Sequence, residues 1–114
     1  MSDDDGALWG RLCVFVDAHL TDQDLRPAVI AAAHHISPRL LRKVFQQHGE
    51  TVTGRIRARR LEHCRLDLLD PVLAGRTVAA VGRSWGFSVP AHFTRVFRNT
   101  YGVPPLAYRN RRGA

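Results

Sequence analysis

Apolar residues recur along this chain at helical spacing, interrupted by short polar turns. From Ala7 to about Leu20, the residues Leu8, Leu12, Phe15, Val16 and His19 fall near one helical face, and Trp9 adds apolar surface. The stretch Thr21-Asp22-Gln23-Asp24 reads as a turn. Asp22 or Asp24 is placed to cap the next helix, which has Pro27 in its first turn and runs through Ile30 to about His34. Ser37 is then a good N-cap, and Pro38 suits the first helical position. Leu40, Leu41, Val44 and Phe45 give that helix one apolar face, and Gly49 ends it. Thr51 or Thr53 starts a long helix that stops at Asp70-Pro71, with Val52, Ile56, Leu61, Cys64, Leu68 and Leu69 apolar.

After a loop over residues 72–76, Thr77 caps a short helix that turns Val78, Val81 and Trp85 inward. Gly86 supplies a tight turn and Phe87 plugs the core. Ser88 caps the following helix, which carries Phe93, Val96, Phe97 and Tyr101 inward until Gly102 stops it. Pro104-Pro105 opens a last short helix with Leu106, Ala107 and Tyr108, and the basic end from Arg109 onward is expected to fray. The pattern predicts an all-α fold.

The apolar pattern repeats. Residues 37–45 and 89–97 match at an offset of 52, pairing Pro38 with Pro90, Leu41 with Phe93, Lys43 with Arg95, Val44 with Val96 and Phe45 with Phe97. Upstream, Ala31-Ala32-Ala33 finds an echo in the stretch from Val78 to Gly82. Two copies are too few for a solenoid and suit a tandem of two similar helical units. Each copy reads as a short helix, a turn and a second helix. In the first copy Arg39, Arg42 and Lys43 lie between the apolar positions and point outward, which is how a helix-turn-helix offers side chains to a DNA major groove. The turn His34-His35-Ile36-Ser37 lacks the glycine preferred where such a turn takes a positive φ. One histidine is expected in that strained place and the other in solvent.

Composition is ordinary for a soluble globular protein, and 114 residues make one domain or two very small ones. No apolar run is long enough to span a membrane, and the acidic start Asp3-Asp4-Asp5 is the opposite of a signal peptide. These features place the protein in the cytoplasm, with residues 1–6 as a disordered leader. Charge is distributed unevenly: residues 1–25 hold one Arg and six Asp, and residues 26–114 hold 16 basic residues against four acids. Sixteen of the 17 basic residues are Arg. Codon bias in a high-GC genome accounts for Arg over Lys. It does not account for the excess of positive charge, which points to nucleic acid. Five arginines of the long helix, Arg55, Arg57, Arg59, Arg60 and Arg65, read mainly as a solvated face, with one or two able to touch phosphate.

Catalysis and metal binding are not expected. There is no Gly-rich phosphate loop, and Cys13 and Cys64 lack metal-ligand spacing and are expected as free thiols, Cys64 on an apolar stripe. Asp67 and Asp70 share a helix with several Arg, so ion pairs explain them better than acid–base chemistry. No cofactor is implied.

Several stretches together resemble the DNA-binding domain of AraC/XylS-type bacterial transcription regulators, over about residues 7–112. They are Ser37-Pro-x-x-Leu-x-Lys-x-Phe, Arg60-Leu61-x-x-Cys64-x-x-Leu-Leu, Trp85-Gly86-Phe87-Ser88, His92-Phe93-x-Arg-Val-Phe97-Arg98 and Tyr101-Gly102-Val103-Pro104-Pro105-x-x-Tyr108-Arg109. The resemblance implies seven helices arranged as two helix-turn-helix units joined by a long central helix. On this basis the units are expected at residues 7–50 and 71–112, with the linker helix at 51–70. At 18 or so residues that linker spans roughly 27 Å, close to one turn of B-DNA, which would suit recognition helices in successive major grooves.

Carried over by position, the family's base readers fall on Arg39, Arg42 and Lys43 in the first unit and on Pro90, Ala91, Thr94 and Arg95 in the second. Ser37, Gln46, Thr77, Ser88, Arg98 and Arg109 are the expected backbone contacts. The chain departs from the family at His35, where Gly is usual, at Gly82, where Ala is usual, and at Pro90 and Ala91, which replace polar readers. Pro90 and Ala91 cannot donate to a base edge, so the first unit is expected to carry most of the specificity. The expected function is sequence-specific binding of double-stranded DNA and transcription regulation, in the activating sense. RNA polymerase is a candidate further partner, and an effector or dimerisation domain is expected elsewhere in a longer chain. The alternatives are a non-specific architectural DNA-binding protein and a basic protein-interaction module.

Overall fold

A computed structural model describes residues 3–111, with side chains from Gly6 onward. Its seven α-helices, among the described residues, are α1 (Asp3–Ala18), α2 (Pro27–Ala33), α3 (Pro38–Gln47), α4 (Val52–Leu69), α5 (Val78–Ser84), α6 (Pro90–Tyr101) and α7 (Pro105–Arg111), with a 3-10 turn over Pro71–Leu73. No strand occurs among the described residues. The chain divides into two compact units between Arg59 and Arg60, inside α4. The long helix, expected over 51–70, therefore contributes residues to both units. The disordered leader is also corrected: Asp3 to Gly6 belong to α1, and residues 1 and 2 lie outside the described residues.

Unit 1 holds α1 to α3 and the start of α4. Leu12, Val16, Ile30, Leu41 and Phe45 are fully buried, joined by Leu20, Leu25, Val44, Val52 and Ile56. Removing a side chain such as Phe45 from water is worth about 1.5–3 kcal/mol. Trp9 covers the rim of this core, edge-on to Phe45 at 5.0 Å and stacked on His48 at 3.9 Å. Three histidines follow the ends of α1, α2 and α3. In each the ring Nδ1 donates to the carbonyl four residues earlier: His19 to Phe15, His34 to Ile30 and His48 to Val44. Each thus satisfies one of the carbonyls that a helix end leaves open.

Proline at the first helical position sets where α2, α3 and α6 begin. This corrects two expected caps. Arg26, not Asp22 or Asp24, precedes α2, and its side chain makes no capping bond. Asp22 instead accepts the Asp24 N–H within the turn. Val89, not Ser88, precedes α6, again without a side-chain cap. Ser37, Thr51 and Thr77 do cap, each accepting the N–H three residues on. The basic end is corrected too, because Arg109 to Arg111 continue α7, and residues 112–114 lie outside the described residues.

Unit 2 packs the second half of α4 with α5, α6 and α7. Leu61, Cys64, Leu68, Val81, Phe87, Phe93, Val96 and Phe97 form its core, flanked by Val78, Trp85, Tyr101 and Tyr108. Aromatic rings fill much of it. Phe93 lies 5.2 Å from Phe87 and 5.9 Å from Phe97 between ring centroids, and Tyr108 meets Phe97 edge-on. A polar chain runs along one side: Tyr101 donates to Glu62, and Arg65 donates to Glu62 and to the Tyr108 hydroxyl. Burial first, and then Glu62, push the Tyr101 phenol up to about 12, while the hydrogen bond that Arg65 donates to Glu62 raises Arg65 further above its ordinary value.

The arginine run of α4 is not a solvated face. Arg55 pairs with Glu50 and lies over the Trp9 ring, Arg59 pairs with Asp17, Arg65 pairs with Glu62, and Arg60 packs against Gly86. Of the five, Arg57 alone is exposed, and the others are half-buried. Asp67 and Asp70 are likewise engaged in a different way from the expected ion pairs. Asp67 accepts the Trp85 indole N–H at 2.7 Å, and Asp70 caps the 3-10 turn through the Val72 N–H.

Candidate nucleic-acid interface

Both units contain the same turn, bond for bond. In unit 1 the N–H groups of His34 and Ile36 both donate to Ala31, and that of His35 donates to Ala32. In unit 2 Trp85 and Phe87 both donate to Gly82, and Gly86 donates to Arg83. The chain turns at a positive φ in each, 55° at His35 and 93° at Gly86. His35 is exposed, so the strained histidine is also the solvent-facing one. The expectation that His34 faces solvent is corrected: it is half-buried, with its ring edge-on to Phe15 at 5.1 Å. Beyond the turns the match shifts by one residue, because Ser88 and Val89 stand where unit 1 has Ser37 alone.

On α3 the residues Leu41, Val44 and Phe45 point into the core, so the opposite face carries Arg39, Lys43 and Gln46, all exposed. Arg42 is exposed on the flank of that face, beside a cleft lined by Pro27, Pro38, Gln46, Glu50 and Thr51 to Thr53. Among the described residues, none of the ion pairs uses Arg39, Arg42 or Lys43. Three cations on one short helix thus remain available to an anionic partner. Leu40, expected on the apolar face with Leu41, Val44 and Phe45, is corrected: it is 40% exposed beside these cations, since only the other three point into the core.

On α6 the buried residues are Phe93, Val96 and Phe97. The outward stripe is Ala91, Arg95 and Arg98, with Thr94 half-buried at its edge beside Val78, Ala79 and Leu106. Arg95 is held by a neighbour that sequence reasoning passed over: its Nη2 donates to Nδ1 of His92 at 3.1 Å. The helical spacing of three was visible in the sequence, but the pairing was not, because Nδ1 of a histidine accepts only in the tautomer that carries the proton on Nε2.

The expected backbone contacts divide into three kinds. Gln46, Ser88 and Arg98 are exposed side chains. Ser37 and Thr77 accept backbone N–H groups as caps, and each keeps its own O–H to donate. Arg109 is turned inward, where its Nη1 donates to the Arg76 carbonyl and its Nε and Nη2 are buried. No group of three or more His, Cys, Asp or Glu placed to hold a metal occurs among the described residues. No described helix is long and apolar enough to cross a membrane. Cys64 is fully buried, and burial, followed by Asp67, pushes its thiol up to about 12.

Known proteins share this arrangement. A helix-turn-helix domain family matches residues 30–111. The chain is 37% identical over 94 residues to the transcriptional activator NphR of a Rhodococcus species, covering 82% of this chain and 27% of that protein. It is 36% identical over 103 residues to the XylDLEGF operon transcriptional activator 1 of Pseudomonas putida, covering 90% of this chain and 31% of the relative. The chain thus spans about a third of the length of these curated relatives. Among solved structures, an AraC-type transcriptional regulator from Chromobacterium violaceum superposes with a TM-score of 0.85 over 97% of this chain and 96% of that one, at 22% identity. A DNA-binding transcriptional dual regulator from Escherichia coli K-12 gives 0.81 over 90% and 89%, at 24% identity. These two likenesses show the fold. With its duplicated turn and the family match over most of its length, the chain belongs to the helix-turn-helix domain family, in the AraC/XylS type.

Proposed function

We propose that this chain binds double-stranded DNA in a sequence-specific way and regulates transcription, in the activating sense, with α3 and α6 entering successive major grooves. The observation that carries the proposal is the face of α3, where Arg39, Arg42 and Lys43 stand exposed outside every ion pair of the described residues. An arginine fork matches guanine O6 and N7, and a helix is the right width for the major groove. Thr94 and Arg95 are the corresponding readers on α6, with Ala91 able to meet a thymine methyl. Gln46, Ser88 and Arg98 contact phosphates, and the hydroxyls of Ser37 and Thr77 donate to phosphates while still capping their helices. Arg109 acts indirectly, by holding the segment at Arg76.

Relatives that are transcriptional activators support the regulatory role. Their greater length supports an effector-binding or dimerisation domain lying outside these residues, with RNA polymerase as a further partner. Such a role is cytoplasmic and needs no catalysis. The test is repeated selection of bound duplexes from random DNA by the chain, followed by footprinting. Enrichment of one sequence, with a footprint covering two adjacent grooves, supports the proposal. Binding without enrichment overturns it in favour of an architectural binder.

A further inference from the structure

We propose that His92 is a positioning residue that fixes Arg95 for base reading, a role that rests on the DNA-binding function proposed above. Arg95 is exposed on α6, and its Nη2 donates to Nδ1 of His92. A guanidinium has no acceptor, so Nδ1 must carry the lone pair of the contact. The imidazole in this contact therefore carries its proton on Nε2. It orients the guanidinium without cancelling the positive charge, which a carboxylate in its place would do. The remaining N–H groups of Arg95 stay free to fork onto a base edge.

His92 is itself anchored. It is half-buried on the first turn of α6, and its ring stands 6.4 Å from that of Phe87, the residue that plugs the unit 2 core behind the turn. A line of contacts thus runs from the core through Phe87 and His92 to Arg95. Unit 1 has no equivalent: the matching residues are Leu40 and Lys43, an apolar side chain and a flexible ammonium. The difference suits the two helices. Pro90 and Ala91 offer α6 no side-chain donors, so its polar reading is concentrated in Thr94 and Arg95.

The experiment compares the unaltered chain with His92→Ala, His92→Gln, Arg95→Ala and the double variant on a panel of single-base operator changes. At the base pair where Arg95→Ala erases discrimination, His92→Ala is expected to cut it about fivefold, with no further loss in the double variant. Discrimination at base pairs read by α3 stays unchanged, and His92→Gln, which keeps an acceptor, restores most of the loss. In the free chain, Arg95→Ala shifts the 15N resonance of His92 Nδ1. A uniform loss on all sequences with His92→Ala, or no loss, overturns the proposal, as does an unmoved Nδ1 resonance. If the unaltered chain selects no duplex, the DNA-binding reading fails and the positioning role with it. The Nδ1 resonance then reports separately whether the contact exists.

Discussion

Gly82 and Phe93 are matched in size across the α5–α6 contact. A Cβ placed on Gly82 would come within 2.6 Å of Phe93 Cδ2 and 3.0 Å of Cε2. In unit 1 the matching pair is Ala31 and Leu41, both buried. Each unit thus fills the same helix crossing, one with a methyl and a branched chain, the other with a hydrogen and a ring.

Gly82→Ala is expected to destabilise the chain by about 1–3 kcal/mol through overpacking, although alanine is the better helix former by about 1 kcal/mol. The ring has little room to yield, since Phe93 is buried between Phe87 and Phe97. Adding Phe93→Leu should recover part of the loss. Denaturant unfolding of both single variants and the double variant measures the coupling. Additive effects would show that the two positions do not share the crossing.

His35→Gly is expected to stabilise unit 1 by about 0.5–1 kcal/mol, because relief of a left-handed conformation outweighs the extra freedom of glycine in the unfolded chain. His35 is exposed, so little packing is lost. Thermal unfolding of His35→Gly beside His35→Val checks the sign, with the β-branched variant falling below the unaltered chain.

Tyr101 sets a pH limit on unit 2. Its phenol is raised from 10.0 to about 12 by burial and by Glu62, so the folded state favours the protonated form. A raised folded-state value gives stability that is whole below pH 10 and is lost as pH climbs through about 12. Absorbance titration of the unaltered chain and Tyr101→Phe isolates this group. Unfolding curves between pH 9 and pH 11 should fall more steeply for the unaltered chain than for Tyr101→Phe.

Arg42→Ala and Arg98→Ala are expected to fail differently on DNA. Arg42 stands on the flank of the α3 reading face, so its loss should relax choice at one base pair by about 1–3 kcal/mol. Arg98 is exposed further along α6, and its loss should weaken binding to all sequences and flatten the salt dependence. Equal losses on every operator variant for Arg42→Ala would remove it from the readers.

The α3 reading face was legible in the sequence because its signals are local: Ser37-Pro38 marks the start, and Leu41, Val44 and Phe45 mark the inner face. The start of α6 was misplaced by one residue because Ser88 is the better capping side chain. Pro90 overrides it, since proline holds the first helical position and leaves the residue before it extended, as at Arg26 before Pro27. The α4 arginines were misread in part because Trp9, Asp17 and Tyr108, which engage Arg55, Arg59 and Arg65, lie on other helices and Gly86 lies in a distant turn, although Glu50 and Glu62 are close in sequence. Periodicity within one helix says which residues face out, and not what another element brings to them. The His92–Arg95 contact was missed for a related reason, as it depends on a tautomer that spacing does not reveal.

The extra residue between Phe87 and Pro90 bears on any attempt to reprogramme the protein. Up to the turn the two units superimpose in bonding pattern, and from Pro38 and Pro90 onward their helices run in step again, one residue out of phase. A chimera that replaces residues 38–47 with residues 89–98, following the offset of 51 that aligns the turns, would rotate the graft by about 100° and set Arg95 in the buried place of Val44. The donor segment has to bring Ser88-Val89 with it in exchange for Ser37, so that the graft boundary follows the backbone and not the count of letters.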